Sequence, residues 1–476
     1  MTSWGLRRWA VGGACAAWAA FGHPSAALAH AGERGFVLLL PTAYWIVGGT
    51  LAVAASFLML LVVPAASIRR IAAMRIKLPT APRVPVAATS AASFLLLVLL
   101  LAAGLYGSRD PLSNPLPLTV WALWWVGLTI AQAVFGNLWA ALNPWIAPCR
   151  LLRSLAGGAV PLTYPAWLGY WPAVAGFLGF AWFELIDLAP DDPARLALAV
   201  AVYSAVTLIG MLLFGERAWL ARAECFSVFF GFVSRLSPLG SEKDASARRM
   251  LVLRFPGTGL AGGEALPVSG VVFVLLTLAT VSFDGLSKTF WWLGLGGINP
   301  LEFPGRSAVV GLNSAGLAAM WAALVAAYGI AIGLGVALAG RQGSQRCALG
   351  AFVLSILPIS IGYHFAHYLP AVLVDAQYAA LALADPFARG WDPVGLEGAH
   401  VTVSFLSSYD AVSVIWKLQA AAVVAGHVLA VLVAHAIAVE RFGDARTAAL
   451  SQLPLAVLMI AYTLFGLWLL AAPTAG

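Results

Sequence analysis

The stretch RVPVAATSAASFLLLVLLLAAGLYG, residues 83–107, carries no charged side chain after Arg83. About 20 consecutive apolar residues cross a bilayer as a helix. Only a helix or a closed barrel satisfies every backbone group without water. Nine more stretches read the same way: 36–66, 116–147, 167–189, 194–215, 265–283, 306–340, 346–374, 411–438 and 450–473. The chain is therefore expected to be all-α, a polytopic transmembrane helical bundle of ten spans. Composition agrees. Of 476 residues, 61% are hydrophobic and 10% charged, against about 25% charged in soluble domains. Several stretches exceed 25 residues, which implies tilt or kinks, with Pro41, Pro358 and Pro370 as kink candidates.

The connections set an orientation. Arg69, Arg70, Arg75 and Lys77 fill the first loop, and Arg150 and Arg153 mark a later one. Segment 216–264 holds Arg217, Arg222, Arg235, Lys243, Arg248, Arg249 and Arg254. Arg341, Arg346, Arg441 and Arg446 complete the set. These loops alternate with poorly basic ones, and basic loops stay in the cytoplasm. The formal charge of +7 thus belongs to topology and does not indicate a nucleic-acid partner. Both mature termini are expected to be periplasmic, in a bacterial inner membrane. Within segment 216–264, residues 219–236 read as an amphipathic helix on the inner surface. Segment 375–410 is the largest outer connection, long enough for a lid. Cys149, Cys225 and Cys347 fall at the inner side, where thiols stay reduced. Asn114-Pro115, Asn143-Pro144 and Asn299-Pro300 read as turns or helix ends.

The N-terminus has its own pattern. Arg7 and Arg8 precede an apolar run from Trp9 to Gly22, then Ala27-Leu28-Ala29. That order describes a secretory signal peptide, so residues 1–29 read as the signal and 30–476 as one transmembrane domain. An uncleaved first helix is the alternative. Cleavage would leave His30 first, with a free α-amine beside its imidazole. Two such nitrogens can chelate copper or zinc.

Ionisable groups within spans are costly and mark functional sites. Glu184 and Asp187 stand three apart on one helix face near the outer end of the fourth span. Asp284 closes the sixth span, also outward. His364 and His367 are three apart in the outer half of the eighth, and His427 lies near the centre of the ninth. Histidines at this spacing beside carboxylates of other helices are how bundles hold metals. The expected divalent ion is copper or zinc, with His30, His364, His367, His427 and Asp187 as metal ligands. Asp284 and Glu184 are the candidate catalytic carboxylates. Plainer readings stand beside these: Asp187 and Glu184 at a solvated helix end paired with Arg195, His364 and His367 at an interface, His427 in an interhelical hydrogen bond. His435 reads as structural. No P-loop, Gly-x-Ser-x-Gly, HExxH or Cys-x-x-Cys motif occurs.

Several collinear stretches resemble a bacterial family of polytopic membrane proteins named fenitrothion hydrolases. They are Ala29-His30-Ala31-Gly32 with Leu40-Pro41, and Phe135-Gly136-Asn137-Leu138-Trp139 with Leu142-Asn143-Pro144. Trp182-Phe183-Glu184-Leu185, Val281-Ser282-Phe283-Asp284-Gly285-Leu286 and Phe365-Ala366-His367-Tyr368 continue the match over most of the mature chain. The resemblance implies hydrolysis of an organophosphorothioate triester to a dialkyl thiophosphate and a nitrophenol. It carries no residue roles. The expected partners are the lipid bilayer, a lipophilic small-molecule substrate and a companion membrane subunit. A transporter or metal-handling permease, and a non-catalytic subunit, are the competing classes.

The charge pattern makes a direct prediction. A cytoplasm-dependent reporter fused at Ser241 should be active, and an export-dependent reporter at Gly395 likewise. The reverse pattern of activities would invert the topology.

Overall fold

The computed structural model describes residues 42–80, 85–243, 249–302, 305–340, 345–391, 395–396 and 399–474. The expected signal peptide and His30 lie outside the described residues. The principal helices are α1 (Thr42–Val62), α2 (Val86–Tyr106), α3 (Pro115–Phe135), α4 (Trp171–Leu185), α5 (Pro193–Phe214) and α6 (Cys225–Val233). Then follow α7 (Val268–Ser287), α8 (Val310–Leu338), α9 (Leu357–Ala384), α10 (Tyr409–Phe442) and α11 (Ala445–Ala471). Among the described residues nine of these are long and apolar enough to cross a membrane. The stretch 167–189, read as a span, yields the 15-residue α4. At ~1.5 Å per residue it is roughly 22 Å long, short of a ~30 Å hydrocarbon layer.

Helix starts follow local chemistry. Asn114 accepts a hydrogen bond from the Leu116 amide at 3.0 Å, with Pro115 behind it in the first turn of α3. Asp192 and Asp444 likewise accept from amides three residues on, at 2.9 Å each. Such caps satisfy amides that the helix cannot. Asn143 and Asn299 make the same local bond to Trp145 and Leu301, so all three Asn-Pro pairs are turns or helix starts. The long stretch 116–147 is broken at Gly136, whose φ of 90° is a region open mainly to glycine.

α7 is the axis of the bundle. Of its most apolar window, 83% is buried, as expected for a helix apolar on all sides. It packs on α4, α8 and α9. α9 and α10 make the most extensive pairing, with Gly362 and Gly426 at the crossing. A β-carbon at Gly362 would stand 2.7 Å from the Ala422 carbonyl oxygen, and one at Gly426 2.6 Å from that of Pro358. Small residues let membrane helices approach this closely.

The basic connections gather at one end of the bundle. β1 (Arg75–Thr80), β2 (Leu239–Lys243) and β3 (Arg249–Arg254) form an antiparallel sheet in the order β1-β3-β2. Arg75 pairs with Arg254 and Lys77 with Val252, so the first loop and segment 216–264 lie on the same side. Arg150 clamps Glu216 through two 2.8 Å bonds. The expected surface helix over 219–236 is different in the structure. Glu224 caps a fresh start, and α6 is buried with Phe226, Phe229 and Phe230 packed against Trp124, Trp125 and Phe177. Its aromatic residues outweigh the flanking arginines, which stay outside the helix. At the opposite end, α9 continues to Ala384, so helix takes up the first part of the expected loop 375–410.

The α9–α10 crossing can be tested by overpacking. Gly362→Leu should cost about 1–3 kcal/mol or more, read as a lower melting temperature in detergent. Gly329→Ala, with nothing within 4 Å of the added carbon, should leave it unchanged.

Candidate functional site

Four helices bring polar groups together at the end opposite the sheet. Asp284 sits in the last turn of α7 and is 3% exposed. One turn on, Lys288 places its ammonium 3.6 Å from Asp284 Oδ1. From α9, His367 Nε2 stands 2.8 Å from Asp284 Oδ2. The neighbouring Tyr368 hydroxyl is 2.8 Å from the same oxygen and 2.7 Å from Glu184 Oε1 at the end of α4. The hydroxyl has one proton to donate. It can donate to only one of the two carboxyl groups, so the other contact is a hydrogen bond only when that carboxyl group carries a proton. Glu184 Oε2 is buried without a hydrogen-bond partner.

α3 supplies the floor. Its Thr119–Leu128 stretch is π-helical, a form that recurs at functional sites. The Trp125 carbonyl there meets His364 Nε2 at 3.1 Å, and the Trp125 ring lies edge-on to His364 at 4.8 Å. Tyr368 packs between the two histidines, 4.9 Å from the His364 ring and 4.8 Å from that of His367. Within the His367–Asp284 pair, His367 is the partner that reaches outward: its side chain is 25% exposed against 4% for Asp284. Gly285 of α7 lies beside its Nδ1: an added β-carbon there would be 3.9 Å from that nitrogen, in ordinary contact.

The structure thus assembles Asp284, Glu184 and His367. Of the other expected ligands, His30 lies outside the described residues, and Asp187, His364 and His427 make their polar contacts with other groups. His364, though on the same helix as His367, turns its Nε2 to a backbone carbonyl. Both Asp187 oxygens are taken by Arg195, at 2.7 and 2.6 Å, the partner of the plainer reading, but Asp187 is buried and not solvated. His427 Nδ1 is 2.9 Å from the Val423 carbonyl and its ring packs on Tyr363. His435 pairs with Gln452 at 3.0 Å, buried near the far end of α10. Among the described residues no three His, Cys, Asp or Glu side chains are arranged to hold a metal ion. The physical reason is local. Arg195 holds both Asp187 oxygens, and Lys288, His367 and Tyr368 contact Asp284, while Glu184 Oε2 stands apart from them.

Sequence reasoning gave no role to Lys288, Tyr368 or Trp125. Lys288 was legible, since i and i+4 share a helix face. Tyr368 and Trp125 were not, because their roles depend on which helices meet. No protein-family model, curated protein or solved structure matches the chain.

The shared hydroxyl is testable. Tyr368→Phe leaves two buried carboxyl groups without their bridge, and should cost about 1–3 kcal/mol, measured by thermal melting in detergent. Glu184→Gln keeps an N–H donor facing the tyrosine and should cost less. Equal, negligible effects would remove the bridge from the energetics of the fold.

Proposed function

We propose that the chain is a membrane-bound hydrolase of neutral, lipophilic esters, acting at the outer side of a bacterial inner membrane. The substrate class is the aryl phosphotriester or phosphorothioate triester that the resemblance implies. One observation carries the reading: the His367–Asp284 pair, in which the buried carboxylate holds the imidazole and the imidazole is the exposed partner. With Nε2–H donating to Asp284 Oδ2, neutral His367 has its lone pair on Nδ1. That nitrogen is the general base. The base role expected of Asp284 or Glu184 passes to His367, and the two carboxyl groups become the groups that orient it.

In the proposed reaction Nδ1 takes a proton from a water molecule as its oxygen attacks phosphorus. The phosphorus–aryloxy bond breaks, and the nitrophenolate leaves with the bonding electron pair. A nitrophenolate is a stable anion, so no strong general acid is required. Lys288, its side chain 44% exposed, faces the charge that develops on the phosphoryl or thiophosphoryl group. Asp284 stabilises the imidazolium that forms, and the proton then passes to water. A metal held by His364 and His367 forms no part of the proposal, because their bonded nitrogens turn to different partners.

Neutral triesters partition into a bilayer, and a site within reach of the outer leaflet meets them there. The sheet-forming loops belong on the cytoplasmic side by their charge, which leaves both mature termini periplasmic. A transport reading has one observation in its favour. Gln419, His427 and His435 are all buried along α10.

Membranes containing the protein should release nitrophenol from fenitrothion. His367→Ala should lower the rate about 10²–10⁴-fold, the usual worth of a general base, with the folded yield retained. Asp284→Asn should lower kcat more than it raises KM. His435→Ala should be close to neutral per folded molecule. A parent protein that releases no nitrophenol would sink the hydrolase reading and favour transport.

A further inference from the structure

A second polar feature lies at the opposite end of α7 from Asp284. A cavity of about 780 Å³ is lined by Trp167, Tyr170 and Trp171, by Arg222 and Arg235, and by the 262–269 segment that leads into α7. Ser269 and Asp284 are on one helix, roughly 22 Å apart at ~1.5 Å per residue. The cavity is therefore separate from the site described above.

Its chemistry is that of an anion site. Arg235 is partly buried, with its guanidinium 5.3 Å from the centre of the Phe232 ring. Burial lowers its pKa, and the nearby polar group is the Tyr170 phenol, not a carboxylate. Such a group stays cationic at any ordinary pH, so a positive charge stands in poor solvent. Arg222 adds a second, and the exposed Glu264 is the cavity's one carboxylate. Two helices also begin here. α4 starts after Tyr170 and α7 after Pro267, and neither has a side-chain cap. Their first amides and dipoles add positive potential to that of the arginines. Glycine at 259, 262 and 263 keeps the wall low. An added β-carbon at Gly263 would come 3.5 Å from Arg235 Nη1.

The mouth is aromatic. Trp167 is 80% exposed and Trp171 44%. Tryptophan is enriched at the headgroup level of a bilayer, and basic pockets between membrane helices on the cytoplasmic side take anionic headgroups. We propose that this cavity binds a phosphate-bearing anion, its phosphate held between Arg222 and Arg235. An anionic phospholipid headgroup and a free phosphate present the same chemistry, and the cavity opens where both can reach it.

The full chain can be tested in nanodiscs. Native mass spectrometry would compare retained phosphatidylglycerol with phosphatidylcholine, and inorganic phosphate would be titrated against tryptophan fluorescence. The expected result is either preferential retention of phosphatidylglycerol or a saturable response to phosphate. The first identifies a lipid headgroup and the second a soluble ligand. Arg222→Gln with Arg235→Gln should weaken whichever is seen at least tenfold. Arg235 packs on Phe232, so its loss can disturb folding. Arg222→Gln alone, at an exposed position, should still weaken binding severalfold with an unchanged melting temperature. Binding that is indifferent to both substitutions, or a parent protein with neither preference nor response, overturns the proposal.

Discussion

Asp284 is the constraint around which the bundle is arranged. It sits on the most enclosed of the described spans, where an unpaired carboxylate costs several kcal/mol or instead takes up a proton. Its partners cannot all come from α7. Lys288 is on the same helix, but His367 and Tyr368 come from α9, and Glu184 reaches the cluster from α4 through the tyrosine. The relative positions of three helices are thus tied to one carboxylate. A network of this kind is stable when every member is bonded and costly when one is missing. The interactions that hold α4, α7 and α9 together are the same ones that orient His367. A substitution in the cluster is therefore expected to act on folding and on chemistry together, which is why folded yield must accompany any rate.

How much could be read in advance differs by level. The spans were legible because twenty apolar residues have one physical use, and the caps at Asn114, Asp192 and Asp444 mark their starts in the sequence. The exception, 167–189, has the right length in residues, yet Gly169 and Pro190 flank a helix of only 15. Apolar content cannot separate a full span from a short helix with buried ends. Glu184, Asp284 and His367 were legible as a group because each is ionisable at a similar depth. Their partners were not. Tyr368 adjoins His367 in the chain, but its double bond to two carboxyl groups is a property of the assembled bundle. The partners of His364 and Asp187 were hidden for a related reason. Depth and spacing put them near the site, while the bonds of His364 to the Trp125 carbonyl and of Asp187 to the Arg195 guanidinium depend on which helices meet.

The basic end is built on another principle. Charged side chains fix its loops outside the bundle, but a surface ion pair such as Arg75–Glu242 contributes little by itself. What joins the first loop to segment 216–264 is the backbone ladder of β1, β3 and β2, which is insensitive to salt. The same segment sends α6 into the core. Glu224 makes this possible by accepting from the Phe226 and Ser227 amides at 2.9 and 2.7 Å, while the Tyr203 hydroxyl donates to it. A carboxylate flanked by arginines in sequence thus serves as a buried helix cap.

The short α4 gives the acidic end its remaining logic. A helix leaves its last carbonyls without amide partners, and each costs several kcal/mol where no water or side chain answers it. Arg306 answers this demand. Its Nη1 donates to the carbonyls of Glu184 and Asp187, at 3.1 Å each. An arginine at the end that is otherwise poor in basic residues is explained by that duty rather than by topology. It also fixes where Glu184 stands, because the backbone carrying the side chain is held from behind while Tyr368 holds it from the front.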